Sequence, residues 1–503
     1  RFIFGCVLIK GGAGYLFREQ SETPLYTALR RHIGQGCAHL HVPAHRQGEA
    51  LPSLLKQQNF FQMDLTELPG LDNLHNPGGP IARAQELAAQ LYGAEAAFFL
   101  VNGTTAGLQA LLLAACRPGE KIVVARDSHR SVLSGLVFSG ADPVFVEPAV
   151  LDEFGIPAGI DPARLARVLE ERPGARGVFA VYPNYYGVAA GLRDLVGVAH
   201  AKEKPFLVDE AHGAHFPFHP ALPAEALACG ADAAVMSVHK TGGALTQSSF
   251  LHLNSDRLSK ERVAAALSLL QTSSPSYLLM VSLDLARHQL ATRGYELLQR
   301  SIALASFVRA ELGKVPGLRL LTEDCLPDHL KGRCEGQALD STRITINVRG
   351  LGLSGHQAAR LLSEKYKVNC ELADYHNIVV VIGIGVNHED CRRLVHGLKE
   401  IARWEARPAG RLPAISDLPL LPRKRMTPRE AWFNPARTVP LKACAGLICA
   451  EWAAAYPPGV PVIYPGEEIT PEIIEYLQFL KRNNVPVVGP ADRSLAKILV
   501  IDE

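Results

Sequence analysis

The chain has 503 residues, of which 48% are hydrophobic and 20% charged, with a formal net charge of +2. This describes a globular protein of two or three domains and gives no basis for a nucleic-acid or anionic-membrane partner. Ten scattered cysteines without a C-x-x-C pair point to a reducing, cytoplasmic setting. Cys444 and Cys449 lack partners at zinc-ligand spacing, and no histidine pair forms H-E-x-x-H, so no metal site is expected. The chain opens at Arg1 rather than Met, and the apolar run Phe2 to Ile9 is too short to cross a bilayer.

From Thr23 a short helical pattern runs to Arg31, followed by His41 to Leu55, whose two histidines and Arg around a Pro-Ala turn read as a loop or as an arm reaching an active site. Leu65 to His75 is turn-rich and non-periodic, which suits an active-site loop or a subunit-interface segment. Ile81 to Tyr92 has helical spacing. Apolar runs that read as strands follow at Ala97–Val101, Ile122–Ala125, Pro143–Val146, Gly177–Tyr182, Pro205–Val208 and Ala233–Met236. Helical runs lie between them, such as Ala106–Cys116, Pro162–Glu171 after the cap-like Asp161, and Leu192–Lys202. This alternation predicts an α/β fold with a mostly parallel sheet covered by helices on both faces. After Ser276 a long helix is expected from Leu278 to about Leu312. A small α+β unit then follows, with strands Arg343–Val348 and Asn377–Ile382 and helices Gly355–Lys365 and His388–Trp404. The expected sections are an N-terminal arm and interface segment at 1–75, a large domain at 76–285 and a small α+β domain at 286–406. A linker at 407–426 and a C-terminal domain at 427–503 complete the chain.

Three strand ends carry the chemistry. Val208-Asp209-Glu210-Ala211-His212 and Ser237-Val238-His239-Lys240 each turn from an apolar run to charged residues. In parallel sheets the C-terminal strand edge is where ligands bind. Asn102-Gly103-Thr104-Thr105 follows another strand and opens a helix, where free N–H groups and the helix dipole attract phosphate. A phosphate site, an Asp and a Lys on one sheet edge are what pyridoxal phosphate (PLP) requires. The Lys forms a Schiff base, and the Asp keeps the pyridine nitrogen protonated.

Several long segments, in order, resemble the Orn/Lys/Arg decarboxylase family, a bacterial PLP-dependent group with the aspartate-aminotransferase fold, in its short form without an N-terminal wing domain. They include FFLVNGTTAGLQA, VDEAHGAHFPFHP and SVHKTGGALTQSSFLHL, and near the C-terminus YPPGVPVIYPGEEITPEIIEYL. The resemblance implies a fold-type-I PLP enzyme that decarboxylates a basic amino acid. Arginine, giving agmatine for polyamine biosynthesis, ranks first, with lysine and ornithine also open. It implies a homodimer or a multiple of dimers. By the same resemblance Lys240 carries the Schiff base, Asp209 binds the pyridine nitrogen, and Gly103, Thr104, Thr105 and Ser237 hold the phosphate. His129 would stack on the ring with Ala211 on its other face, and His212 and His239 would lie near the reacting centre as catalytic residues. Lys240 or His239 would return the proton. Glu467, in Pro465-Gly466-Glu467, would recognise the distal cation of the substrate, an exposed turn being the other reading. Four positions depart from the family pattern: Ala44 and Arg46, in HVPAHR where the family has HVPGHK, Asn184 in place of a Thr, and Gly242 in place of a Leu. Two alternatives share these residues. One is an aminotransferase, with Arg343 as a candidate carboxylate holder, although a surface or interface arginine fits that position better. The other is a catalytically silent relative that binds PLP or a partner.

Overall fold

The apolar runs before Asp209 and His239 are buried strands. Phe206–Asp209 and Ala233–Met236 pair in parallel, with Asp209 opposite Val235. Ala233–Met236 also pairs antiparallel with Ser249–Leu253, which in turn pairs antiparallel with Ala96–Leu100. The computed structural model describes residues 19–38, 40–51, 59–331, 337–404, 421–456 and 459–502. Most of the linker expected at 407–426 lies outside them.

The chain divides into two compact units. The first takes the chain through Ala114 together with Leu207–Pro220 and Ala224–Leu298; the second takes Ala115–Phe206, Ala221–Pro223 and Gln299 to the end. These units cut across the contiguous sections expected from the sequence, because parallel pairing joins strands that are distant along the chain.

In the first unit, strand Ala96–Leu100 is finished by side chains. Phe99 N donates to Gln85 Oε1 at 2.8 Å and Val101 N donates to Gln271 Oε1 at 2.8 Å, so two glutamines take strand N–H groups into hydrogen bonds. Helix Gly103–Ala115 follows. It packs so closely that a Cβ on Gly107 would stand 2.5 Å from Val235 Cγ1. Helix Pro24–Gly34 receives no cap from Thr23; instead Leu25 N and Tyr26 N donate to Asp284 Oδ2. Asp284 sits in the long helix Tyr277–Leu312 and is ion-paired with Arg287 at 2.8 Å, both side chains fully buried. Leu29, Tyr92, Phe99, Met236, Phe250 and Tyr277 belong to the common core.

The turn-rich stretch before residue 80 is held by one carboxylate. Asp72 accepts from the N–H groups of Gly78, Gly79, Ile81 and Ala82 at the start of helix Pro80–Leu91. Burial works against the Asp72 charge, but the backbone donors outweigh it and hold its pKa below the ordinary value.

In the second unit, strand Lys121–Ala125 lies between Asp142–Val146 and Val178–Val181, parallel to both. A separate antiparallel sheet runs Arg319–Leu320, Arg343–Asn347, Asn377–Val381, Leu372–Ala373. Helices Gly355–Tyr366 and His388–Trp404 share its core through Leu362, Leu398 and Ile401. The first of them starts at a Ser354/Gln357 capping box. The C-terminal stretch forms small sheets around helix Pro471–Arg482, whose Ile473, Leu477 and Leu480 are buried. Ser249–Leu253, helix Arg130–Ser139 and the hairpin Ala149–Leu151/Ile156–Gly159 were not read as elements from the sequence. Each is short, and none carries a clear period.

Candidate active site

Nine predicted residues lie in the first unit: Gly103, Thr104, Thr105, Asp209, Ala211, His212, Ser237, His239 and Lys240. The chain enters helix Gly103–Ala115 through Gly103, whose φ of +73° is the left-handed conformation that glycine adopts without strain. Thr104 then points inward, and Thr105 is exposed. Thr104 Oγ1 lies 2.5 Å from Ser237 Oγ and 3.0 Å from Ser249 Oγ, so three hydroxyls cluster beside a helix N-terminus. Ser249 was not singled out in the sequence; it sits on the strand whose short apolar run gave no signal.

Asp209 is buried at its strand end, and Ala211 N donates to its Oδ1 at 3.1 Å. Burial pushes its pKa up to about 6, while the Lys240 charge and the Ala211 N–H pull the other way. Asp209 is therefore ionised at neutral pH and has capacity to accept from a further donor. Lys240 follows Ser237 in the one-turn helix Val238–Thr241, and its Nζ lies 3.1 Å from His212 Nε2. The ammonium can only donate, so His212 presents Nε2 as an acceptor. His239 Nδ1 lies 3.0 Å from Ser248 O. A carbonyl can only accept, so Nδ1 carries a hydrogen. Gly242 has a packing reason: a Cβ there would stand 2.7 Å from Val238 Cγ1 and 3.0 Å from Val238 O.

This set fits PLP. The hydroxyl cluster and helix N-terminus suit a phosphate, the buried carboxylate suits a protonated pyridine nitrogen, and Lys240 presents an amine to an aldehyde.

His129 and Glu467 belong to the second unit. His129 caps helix Arg130–Ser139, its Nδ1 accepting from Ser131 N and lying 2.8 Å from Ser131 Oγ. Glu467 lies inside the fold. It is 1% exposed, which removes the exposed-turn reading. Its two carboxylate oxygens take Arg126 Nη1 and Nη2 at 2.6 and 2.9 Å, and Tyr464 N donates to Oε2 at 2.8 Å. Both oxygens are engaged, and Oε1, with Arg126 Nη1 as its hydrogen-bond donor, keeps capacity to accept from another. The physical reason for the burial of Glu467 lies in the turn. Gly466 has φ +89°, and a Cβ there would stand 2.5 Å from Met426 O, so the Pro-Gly bend directs Glu467 inward.

Arg126 was not singled out either, although it follows the apolar strand Lys121–Ala125 just as Asp209 follows its own. Its guanidinium lies between the rings of Phe145 and Tyr464, 4.6 Å from each centroid, and Nη2 also donates to Val462 O. Burial works against its charge, and Glu467 more than compensates. Arg126 borders a cavity of about 170 Å³ together with Asp127, Asn184, Tyr186, Asp374 and His376. Asn184 serves the turn there: Oδ1 accepts from Tyr186 N and Val188 N, and Nδ2 donates to Pro157 O. Arg343, expected at a surface or interface, is 2% exposed and donates to Tyr185 O at 2.8 Å.

Against known proteins, the chain matches the family described as Orn/Lys/Arg decarboxylase, major domain, over residues 23–390, and that family's C-terminal domain over residues 415–489. It is 40% identical to the arginine decarboxylase of Bacillus subtilis over 96% of this chain and 99% of that protein. It is 24% identical to the constitutive lysine decarboxylase of Escherichia coli, over 82% of this chain and 69% of that protein. Among solved structures, the Francisella novicida lysine decarboxylase LdcF superposes with a TM-score of 0.81 at 19% identity, covering 96% of this chain and 82% of that one. At that identity the superposition speaks for the fold.

Proposed function

The chain belongs to the Orn/Lys/Arg decarboxylase family, a PLP-dependent group, and from that membership we propose that it decarboxylates arginine to agmatine and CO2. The observation that carries the choice of arginine is the contrast in relatedness: 40% identity over nearly the full length to an arginine decarboxylase, against 24% to a lysine decarboxylase. The finer reading includes a homodimer or a multiple of dimers, a cytoplasmic setting and a role in polyamine biosynthesis. Among the described residues no helix is long and apolar enough to cross a membrane, and the eight cysteines described are free thiols.

Pyridoxal phosphate supplies an electron sink for the pair released when the bond from the α-carbon to the carboxylate breaks. The residues of the chain do the rest. Lys240 would hold the cofactor through its amine. Asp209 would set negative charge against the pyridine nitrogen. Thr104, Ser237 and the N–H groups at the start of helix Gly103–Ala115 would hold the phosphate, with Gly103 and Thr105 at the same turn. Ala211 would give the ring a small neighbour, and it orients Asp209 through its N–H. A proton must replace the carboxylate on the α-carbon. Lys240 is the better donor, because His239 Nδ1 is held by Ser248 O while His212 Nε2 is placed to steer the Lys240 amine.

The test supplies the PLP-loaded protein with arginine, lysine and ornithine separately and identifies the products. The proposal expects agmatine and equimolar CO2 from arginine. Faster amine formation from lysine or ornithine would move the substrate assignment, and a keto acid in place of CO2 would overturn decarboxylation.

A further inference from the structure

Behind the turn that carries Asp209, Ala211 and His212 lie two carboxyl groups that no step above uses. Glu210 is completely buried and Glu225 is 6% exposed. Glu210 is tied into the turn through its backbone: its N donates to Val235 O and its O accepts from Gly213 N, each at 2.9 Å. Its side chain folds back on the same turn, where a Cβ on Gly213 would stand 2.6 Å from Glu210 Cγ. Ala226 N, next to Glu225, donates to Glu210 Oε1 at 2.9 Å. The other oxygen of each group, Glu210 Oε2 and Glu225 Oε2, is buried and has no hydrogen-bond partner.

Among the described residues no cation acts on either carboxyl. Tyr92, 1% exposed, feels both carboxyls, but its hydroxyl already donates to Ala214 O at 2.7 Å. His252 stacks on Tyr92 at 4.6 Å between ring centroids. It is fully buried, and burial pushes its pKa down to about 3, so it is neutral. A pair of buried carboxylates without a cation is costly, and a carboxylic acid has the donor that an orphan oxygen lacks.

We propose that Glu210 and Glu225 form a proton-sharing carboxyl pair that positions the Asp209–Gly213 turn, with the shared proton satisfying the two orphan oxygens. Glu210 and Glu225 are positioning residues: they touch neither substrate nor cofactor, and act by fixing the backbone from which Asp209 and His212 project. Burial and the neighbouring Glu225 raise Glu210 well above the ordinary carboxylate range, and burial pushes Glu225 up to about 8. The folded state therefore holds protons that the unfolded chain releases above the ordinary glutamate value. The pair's contribution is complete in acid and declines as pH rises towards 8.

The experiment measures Tm against pH for the full-length wild type, Glu210→Gln and Glu225→Gln, each with and without PLP. An amide keeps the shape and provides a permanent donor. The expected result is a Tm close to wild type at pH 5 and a gain that grows towards pH 8 in at least one variant. In that variant the absorption of bound PLP should also survive to higher pH. A merely structural role would shift Tm equally at every pH, and that result overturns the proposal. So would a wild-type Tm that does not fall relative to either variant between pH 5 and pH 8. If one variant does not fold, the other carries the same test. The proposal rests on reading Asp209 as the cofactor's partner only for the PLP readout. Failure of that reading would remove the absorption shift and leave the pH-dependent Tm difference of the PLP-free protein in place.

Discussion

The charged groups at Asp209–Lys240 and at Arg126–Glu467 arise from the same kind of sequence, an apolar run that ends in a charge, yet they end in opposite states. Asp209 receives the Ala211 N–H, feels the Lys240 charge and retains acceptor capacity, and Lys240 Nζ lies 3.1 Å from His212 Nε2. Arg126 and Glu467 form a bidentate pair, with Val462 O and Tyr464 N as further partners. Buried polar groups with valence to spare are expensive and persist where a ligand completes them, whereas a bidentate pair is held chiefly by its own two members. The difference distinguishes the candidate reactive site from the Arg126–Glu467 pair when burial alone does not.

The comparison breaks most visibly at Lys240. Lys240→Ala should lower kcat by about three decades or more, because it removes the covalent attachment and the proton donor together. Steady-state kinetics with PLP in excess would measure this, and near-normal turnover would place the reactive amine elsewhere. Asp209→Ala comes next. Loss of a buried charged partner should weaken cofactor binding by about 2–5 kcal/mol, with little change in the melting of the PLP-free protein. Titration of the apoprotein with PLP checks it, and unchanged affinity would mean that the ring is oriented by another group. Glu467 sharpens the contrast from the other side. Glu467→Gln leaves the Arg126 guanidinium without its charge partner and should destabilise the fold by up to about 3–5 kcal/mol. Glu468→Gln should cost less than about 1 kcal/mol, because Arg425 lies 3.7 Å away in a partly exposed pair. Denaturant titration of the two variants compares them. Equal small losses would return Glu467 to the role of a substrate-binding carboxylate.

Much of this site was legible before any coordinates. Strand Ala233–Met236 and helices Pro162–Glu171 and His388–Trp404 fall where the pattern places them. Lys240, Asp209 and Thr104 were legible because phosphate, pyridine nitrogen and aldehyde each demand a particular group at a strand end. Ser249 was hidden because its strand is five residues long and every residue in it is buried, which erases the alternation that marks a strand. The pairing of Glu467 was hidden for another reason. Arg126 is 341 residues away, and nothing local in Pro465-Gly466-Glu467 reveals which cation the bend will meet. Family resemblance pointed to Glu467 without revealing its pairing with Arg126. The compact units were hidden likewise, since each gathers stretches that the chain order separates.

The most direct test of the reactive site is borohydride reduction of the PLP-loaded protein followed by mapping of the modified peptide. The account predicts a single pyridoxyl group on Lys240, in the peptide that contains Ser237-Val238-His239, and none in Lys240→Ala. Stable incorporation at any other lysine, or retention of the label in the Lys240→Ala protein, would contradict it.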